Sequence, residues 1–146
     1  MRILLINGPN MNMLGIREPD LYGKKDFAAL TSYIRDEAEK LHMEVELFQS
    51  NYEGAIVEKI QQAYGNFDGI LINPAAYTHT SVAILDALCA VALPTVEVHL
   101  TDISQREDFR RFSYVSLYAE KTITGRGFEG YAEGLRYLKE HGGFRI

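Results

Sequence analysis

A chain of 146 residues, 47% hydrophobic and 24% charged, is long enough to bury a real core and fits one domain without a linker. Its net charge of −5 argues against a general affinity for nucleic acid, whose binders carry a basic face. The apolar run 3–6 is far shorter than a signal-peptide core, and no stretch approaches the roughly 20 apolar residues of a membrane span, so the expectation is a cytoplasmic protein with no membrane attachment.

Residues 2–6 read as a buried β-strand. Residues 7–22 follow, too polar and too broken by Gly8, Pro9, Gly15 and Pro19 to be helix or strand. A strand-to-helix connection usually needs only about 2–6 residues, so this one is expected to be a functional lid or a disordered segment, and it carries Asn10, Arg17 and Tyr22. Asp26 is placed to cap a helix in which Phe27, Leu30, Ile34, Ala38 and Leu41 recur at helical steps. Met43, Val45 and Leu47 alternate with Glu44 and Glu46, as in a strand near a sheet edge. Ser50 or Asn51 is expected to cap a second helix bearing Ile56, Val57, Ile60, Ala63 and Tyr64, which stops near Gly65 before the apolar strand 70–72.

A loop over 75–81 leads into a helix over 81–92 that is apolar on nearly every side apart from Ser81 and Asp86. Such a helix needs cover on more than one face, which points to a subunit contact, with Asp86 either met by a partner or part of a site. Cys89 within it, the single cysteine, has no partner for an internal disulfide and is expected to be a small buried hydrophobe. A fourth strand is expected over 95–100. Ser104 and Glu107 form a capping-box pattern opening a short helix through Arg111, and an irregular stretch, a short strand over 121–124 and a helix over 128–140 complete the chain.

Strands alternating with helices imply an α/β fold, a five-stranded parallel sheet covered on both faces, with expected strand order 2-1-3-4-5. Ligands of such sheets bind beyond the carboxyl ends of the strands where the winding reverses, here between strands one and three. The loop after Ile6 then lies beside the loop after Ile72, with the end of the fourth strand next along.

The triplet Gly125-Arg126-Gly127-Phe128-Glu129-Gly130 matches a dinucleotide-binding pattern, but residues up to 146 supply no further strand with an acidic residue about 20 positions on. Tight turning and close helix-to-sheet packing is the expectation. His79 and His99, with Glu97 two residues before the latter, raise a metal site. Zinc takes three or four protein ligands, and His42 and His141 near helix ends do not complete a set, so no metal is expected. Acid–base work, hydrogen bonding to substrate and simple structural satisfaction stay open for both histidines. Arg106, Arg110 and Arg111 concentrate positive charge on an acidic chain, which suits a small anionic ligand; a solvated face balanced by Glu107 and Asp108 is the alternative.

Tyrosine, with an ordinary pKa of about 10, is only about one part in a thousand ionised at pH 7. A cation within about 4–6 Å shifts a pKa by about 1–3 units, so Tyr22 as a base requires an arginine beside it, and Arg17 lies on the same loop. A Schiff-base mechanism would need a buried lysine, whereas Lys40, Lys59 and Lys139 lie in charged helical surroundings; Lys24, Lys25 and Lys121 stay open. Two other functions remain. One is a binding module for flavin or a phosphoryl group, although an acceptor wants acids where Asn7 and Asn73 stand. The other is a different lyase or hydrolase acting on a small carboxylated polyol.

Asn-Gly-Pro-Asn at 7–10, Leu-Gly-x-Arg-Glu-Pro at 14–19 with Tyr22-Gly23, Thr-His-Thr-Ser at 78–81, Glu-Val-His at 97–99 and Arg-Glu-x-Phe-Arg at 106–110 occur in this order. On these motifs the chain resembles the type II 3-dehydroquinate dehydratases along nearly its whole length. The resemblance implies a flavodoxin-like three-layer fold, trimers packed into dodecamers, and cofactor-free removal of water from 3-dehydroquinate through an enolate in the shikimate route. It implies Tyr22 as the base, Arg17 as its activator, Asn10 holding a water at the enolate oxygen, and His99 as the acid oriented by Glu97. Asn73, Ala75, His79, Leu100, Thr101 and Arg110 would line the substrate, Arg106 would close over it, and Asp86 would reach in from a neighbouring subunit. Gly15 and Gly23 are candidate hinges for the loop. The chain departs from the family pattern where Thr101-Asp102 replaces the usual Ser-Asn, setting a negative charge near the anion site, and at Ala75, where glycine is common.

Overall fold

The computed structural model describes residues 1–16 and 25–142. Five parallel strands, β1 (Arg2–Asn7), β2 (Glu44–Gln49), β3 (Gly69–Asn73), β4 (Thr95–Val98) and β5 (Lys121–Ile123), form one sheet in the order β2-β1-β3-β4-β5. Four helices, α1 (Phe27–Lys40), α2 (Glu53–Gln62), α3 (Val82–Val91) and α4 (Glu129–His141), cover it. This is the flavodoxin-like order expected from the alternation of elements.

The period of two in the strands sorts the core. Ile3 and Leu5 of β1, Leu71 of β3, and Val96 and Val98 of β4 pack with Leu30 and Ile34 of α1 and Leu135 and Leu138 of α4. Leu4, Ile6, Ile70 and Ile72 turn to the other face, against Ile56 and Ile60 of α2 and Ile84 and Leu88 of α3. The same alternation sends Glu97 toward the α2 and α3 side and Asn7 and Asn73 toward α4. Central strands buried on both faces read as continuous apolar runs, whereas β2 at the edge keeps its glutamates.

Asp26 caps α1, accepting from the Ala29 N–H at 2.8 Å, and Ser81 caps α3, accepting from Ile84 at 2.9 Å. At α2 the expectation fails. Tyr52 occupies the N-cap without a side-chain bond, because Ser50 Oγ instead accepts from the Tyr52 N–H at 3.0 Å and Asn51 turns toward Asn10. The helix expected from Ser104 to Arg111 is also absent. Two 3-10 turns, Ile103–Gln105 and Asp108–Arg110, stand in its place, and the first is capped by Asp102, whose carboxylate accepts from the backbone and hydroxyl of Ser104 at 3.0 and 2.6 Å. A carboxylate two residues upstream outcompetes Ser104 for the cap and keeps the turn short. β4 ends at Val98, which leaves His99 and Leu100 on the connection beyond the sheet.

Gly125 and Gly127 adopt φ of 73° and 56°, and a Cβ on Gly130 would stand 3.0 Å from Val98, so the triplet serves turning and helix-to-sheet packing as expected. Cys89 is exposed, contrary to expectation: it lies with Val82, Ala83, Asp86 and Ala90 on the face of α3 turned away from the sheet. Among the described residues no helix is long and apolar enough to cross a membrane.

Candidate active site

The carboxyl ends of β1, β3 and β4 open into a cleft of about 200 Å³ lined by Asn10, Asn73, Ala75, His79, His99, Leu100, Thr101, Arg106 and Arg110, together with Pro9, Met11, Ala76 and Ile103. Every described residue expected at the site from the sequence is here, except Glu97, which lies directly behind it, and Asp86. Arg17 and Tyr22 lie outside the described residues.

At the floor, His99 is 5% exposed and donates from Nε2 to Glu97 Oε2. Glu97 itself is fully buried. Burial pushes its carboxyl up, but the hydrogen bond and charge of His99 and the hydroxyls of Ser113 and Ser116 outweigh this and hold it below the ordinary carboxylate value. A carboxylate only accepts, so Nε2 carries a proton and any proton exchanged with the cleft passes through Nδ1.

His79 sits on the 3-10 turn Ala75–His79, and its Nδ1 is 2.7 Å from the carbonyl oxygen of Phe112. A carbonyl cannot donate, so Nδ1 carries the proton and Nε2 of the neutral ring is left as an acceptor. The two histidines therefore present opposite nitrogens to the cleft, Nδ1 of His99 and Nε2 of His79.

The loops are held close. The Gly8 N–H donates to the Asn73 carbonyl at 2.8 Å, and a Cβ on Gly8 would meet the Pro74 carbonyl oxygen at 2.4 Å, so only glycine fits where β1 and β3 run out side by side. Asn10, in the left-handed region at φ 68°, donates its backbone N–H to Asn51 Oδ1 at 2.9 Å. The Asn51 amide is anchored in turn by Gln49 at 3.2 Å, and its carbonyl by the Tyr77 hydroxyl at 2.7 Å. Asn73 has its amide engaged within the protein, donating to Tyr131 at 2.9 Å and accepting from the Ala75 N–H at 3.0 Å. That second bond draws Ala75 into φ 52°, which explains why glycine suits the position.

The arginine cluster divides. Arg106 and Arg110 line the cleft and share Glu107, at 4.0 and 3.0 Å, whereas Arg111 turns out to pair with Asp108 at 3.0 Å. Glu107 is held below its ordinary value first by its own backbone N–H and then by these arginines. Asp102 does not line the cleft; its carboxylate, lowered by Ser104, caps the Ile103–Gln105 turn, while its Cβ and backbone lie beside Gly125. No lysine lines the cleft among the described residues, and no group of three or more His, Cys, Asp or Glu side chains is placed there to hold a metal ion.

The family description Dehydroquinase class II matches residues 1–139. The chain belongs to the class II dehydroquinases. The chain is 52% identical over 141 residues to the 3-dehydroquinate dehydratase of Geotalea daltonii, covering 97% of this chain and 98% of that protein. It is 49% identical over 140 residues to the catabolic 3-dehydroquinase of Verticillium alfalfae, covering 96% and 93%. Its fold matches the crystal structure of the type II dehydroquinase of Butyrivibrio crossotus with a TM-score of 0.92 at 46% identity, covering 94% of this chain and 97% of that one.

In this class II dehydroquinase, sequence reasoning missed the residues that support the site. Asn51, Ser113, Ser116 and Tyr131 bond to the expected residues, and none has a spacing that announces it, while Thr78, quoted only as the first letter of the 78–81 motif, bonds to Glu97. Asp86 is exposed on α3, away from the cleft of its own chain.

Proposed function

We propose that this chain, as a single catalytic domain, eliminates water from 3-dehydroquinate to give 3-dehydroshikimate through an enolate and without a cofactor. The observation that carries the reading is a buried His99–Glu97 pair at the floor of a cleft rimmed by Arg106 and Arg110, an acid facing an anion site. Tyr22, made ionisable by Arg17, takes the proton from the carbon beside the ketone. Asn10 holds a water against the enolate oxygen. His99 gives the proton on Nδ1 to the departing hydroxyl as the C–O bond breaks, and return of a proton from Tyr22 to His99 through solvent resets the pair. Arg106 and Arg110 take the carboxylate, and His79 Nε2 accepts from a substrate hydroxyl.

Ionised acids, which a phosphoryl acceptor would need at the ends of β1 and β3, are replaced there by Asn7 and Asn73. Trimers packed into dodecamers in the cytoplasm belong to the same proposal. Its support is the apolar exposed face of α3, with Val82 at 47% exposure beside Asp86, which would complete a neighbour's site. Mixing the protein with 3-dehydroquinate and following ultraviolet absorbance tests the reaction. A rise from the conjugated product is expected, and no rise rejects it.

A further inference from the structure

Glu97 is met by more donors than the orientation of one imidazole requires. Its Oε2 lies beside His99, 2.8 Å from Ser113 Oγ and 3.2 Å from Thr78 Oγ1, and its Oε1 lies 2.9 Å from Ser113 Oγ and 2.8 Å from Ser116 Oγ. Thr78 and Ser113 are themselves 2.6 Å apart, so whichever way Thr78 donates, the chain of hydroxyls ends on Glu97. Thr122 of β5 stands behind Ser116 at 3.3 Å.

Three separate pieces of chain supply these groups: the 3-10 turn Ala75–His79, the loop at Ser113 and the 3-10 turn Val115–Leu117. The Tyr114 N–H to Thr78 carbonyl bond at 2.8 Å stitches the first two together, next to the His79–Phe112 bond that sets the other histidine. The one titratable side chain in contact with the carboxylate among the described residues is His99; His79, Arg106 and Arg110 line the cleft beyond it.

We infer that Thr78, Ser113 and Ser116 are positioning residues for the acid step, acting through Glu97 by directing hydroxyl protons at its carboxylate so that it stays ionised while holding His99 Nε2. A fully buried carboxylate with a single donor is expelled from the charged state by its surroundings, and a protonated Glu97 would no longer fix the tautomer of His99. The hydroxyls solve this without adding a second charge. The inference about the cage rests on its own geometry; its link to turnover rests on the dehydratase reading.

Two measurements separate these. The first needs no turnover: carbon-13 NMR titration of the Glu97 carboxyl in the wild type and in Ser113→Ala. A protonation midpoint higher by about one unit in the variant is expected, and an unchanged midpoint overturns the cage. Should Ser113→Ala fail to fold, Ser116→Ala at the outer edge of the set gives the same comparison. The second measurement is kinetic. Ser113→Ala should lose about ten- to a hundredfold in kcat, with KM within about twofold and the acid limb of the profile moved to higher pH. Ser113→Thr, which restores a hydroxyl, should recover most of the rate. In a Glu97→Gln background the Ser113→Ala change should cause no further loss, since groups acting through one residue are not additive. Full additivity, or a loss expressed only in KM, overturns the link to catalysis. An inactive wild type with a shifted Glu97 midpoint would instead reject the dehydratase reading and keep the cage.

Discussion

The phenol of Tyr131, fully buried on α4, accepts from the Asn73 amide at 2.9 Å and donates to Asn7 Oδ1 at 2.6 Å, so one hydroxyl ties a helix to the ends of both central strands. Tyr131→Phe keeps the ring and leaves two buried amides short of a partner. The expected cost is about 1–3 kcal/mol in urea denaturation. Loss of Asn73 orientation should also raise KM for the substrate. A variant as stable as the wild type would mean that the amides re-pair locally.

Ala75 holds φ 52° because its N–H bonds to Asn73 Oδ1. Left-handed backbone costs a residue with a Cβ about 1–2 kcal/mol, partly offset by the extra unfolded-state freedom of glycine. Ala75→Gly should therefore stabilise by about 0.5–1 kcal/mol, whereas Ala75→Val should destabilise. Equal melting temperatures for all three proteins would remove strain at this turn as a factor.

Acid should weaken the fold through Glu97. Its folded carboxyl titrates below the ordinary 4.5, so its stabilisation is fully present above that value and is lost as pH falls through the folded midpoint. Glu97→Gln lacks that contribution. The gap in urea midpoint between wild type and variant should be constant near neutrality and narrow below about pH 4.5. A gap that holds steady down to pH 3 would contradict the ionised, hydrogen-bonded carboxylate.

His79 is fixed in the Nδ1–H tautomer by Phe112, so its expected contribution is one accepted hydrogen bond from substrate rather than proton transfer. Truncation to alanine should raise KM about three- to tenfold and leave kcat within about threefold. A larger fall in kcat than rise in KM would assign it a part in the chemistry.

Tyr22→Phe should lower kcat by about 10²–10⁴-fold with ligand binding largely intact, and Arg17→Ala should raise the apparent pKa of the base in the rate profile. Equal loss of binding and rate in the first variant would make Tyr22 structural. The proposed enolate route has no imine, so borohydride in the presence of substrate should leave activity untouched, and inactivation with trapped substrate would overturn it.

The layers were legible because burial on a sheet is periodic. Ile3 and Leu5 against Leu4 and Ile6 separate by parity alone, and α1 and α3 carry their caps, Asp26 and Ser81, in plain sequence. Parallel strands joined by helices leave few topologies, and the binding of ligands where the winding of such sheets reverses then places the cleft. The short turns resisted reading. Ser104-x-x-Glu107 has the letters of a capping box, yet Asp102 reached Ser104 first, and nothing local ranks two neighbouring acceptors for one N–H.

The alternation of strands and helices alone put the loops after β1, β3 and β4 at one end of the sheet, and the family motifs added Asn10, Glu97, His99, Arg106 and Arg110 there as expected site residues. Only the tertiary structure decided which nitrogen of each histidine is committed, that Asp102 is tied to Ser104 outside the lining of the cleft, and that Thr78, Ser113 and Ser116 surround Glu97. Those facts depend on side chains 16 to 35 residues apart meeting around a buried charge. A hydroxyl has no periodic signature, and its partner is chosen by the packing of loops whose geometry no local pattern encodes.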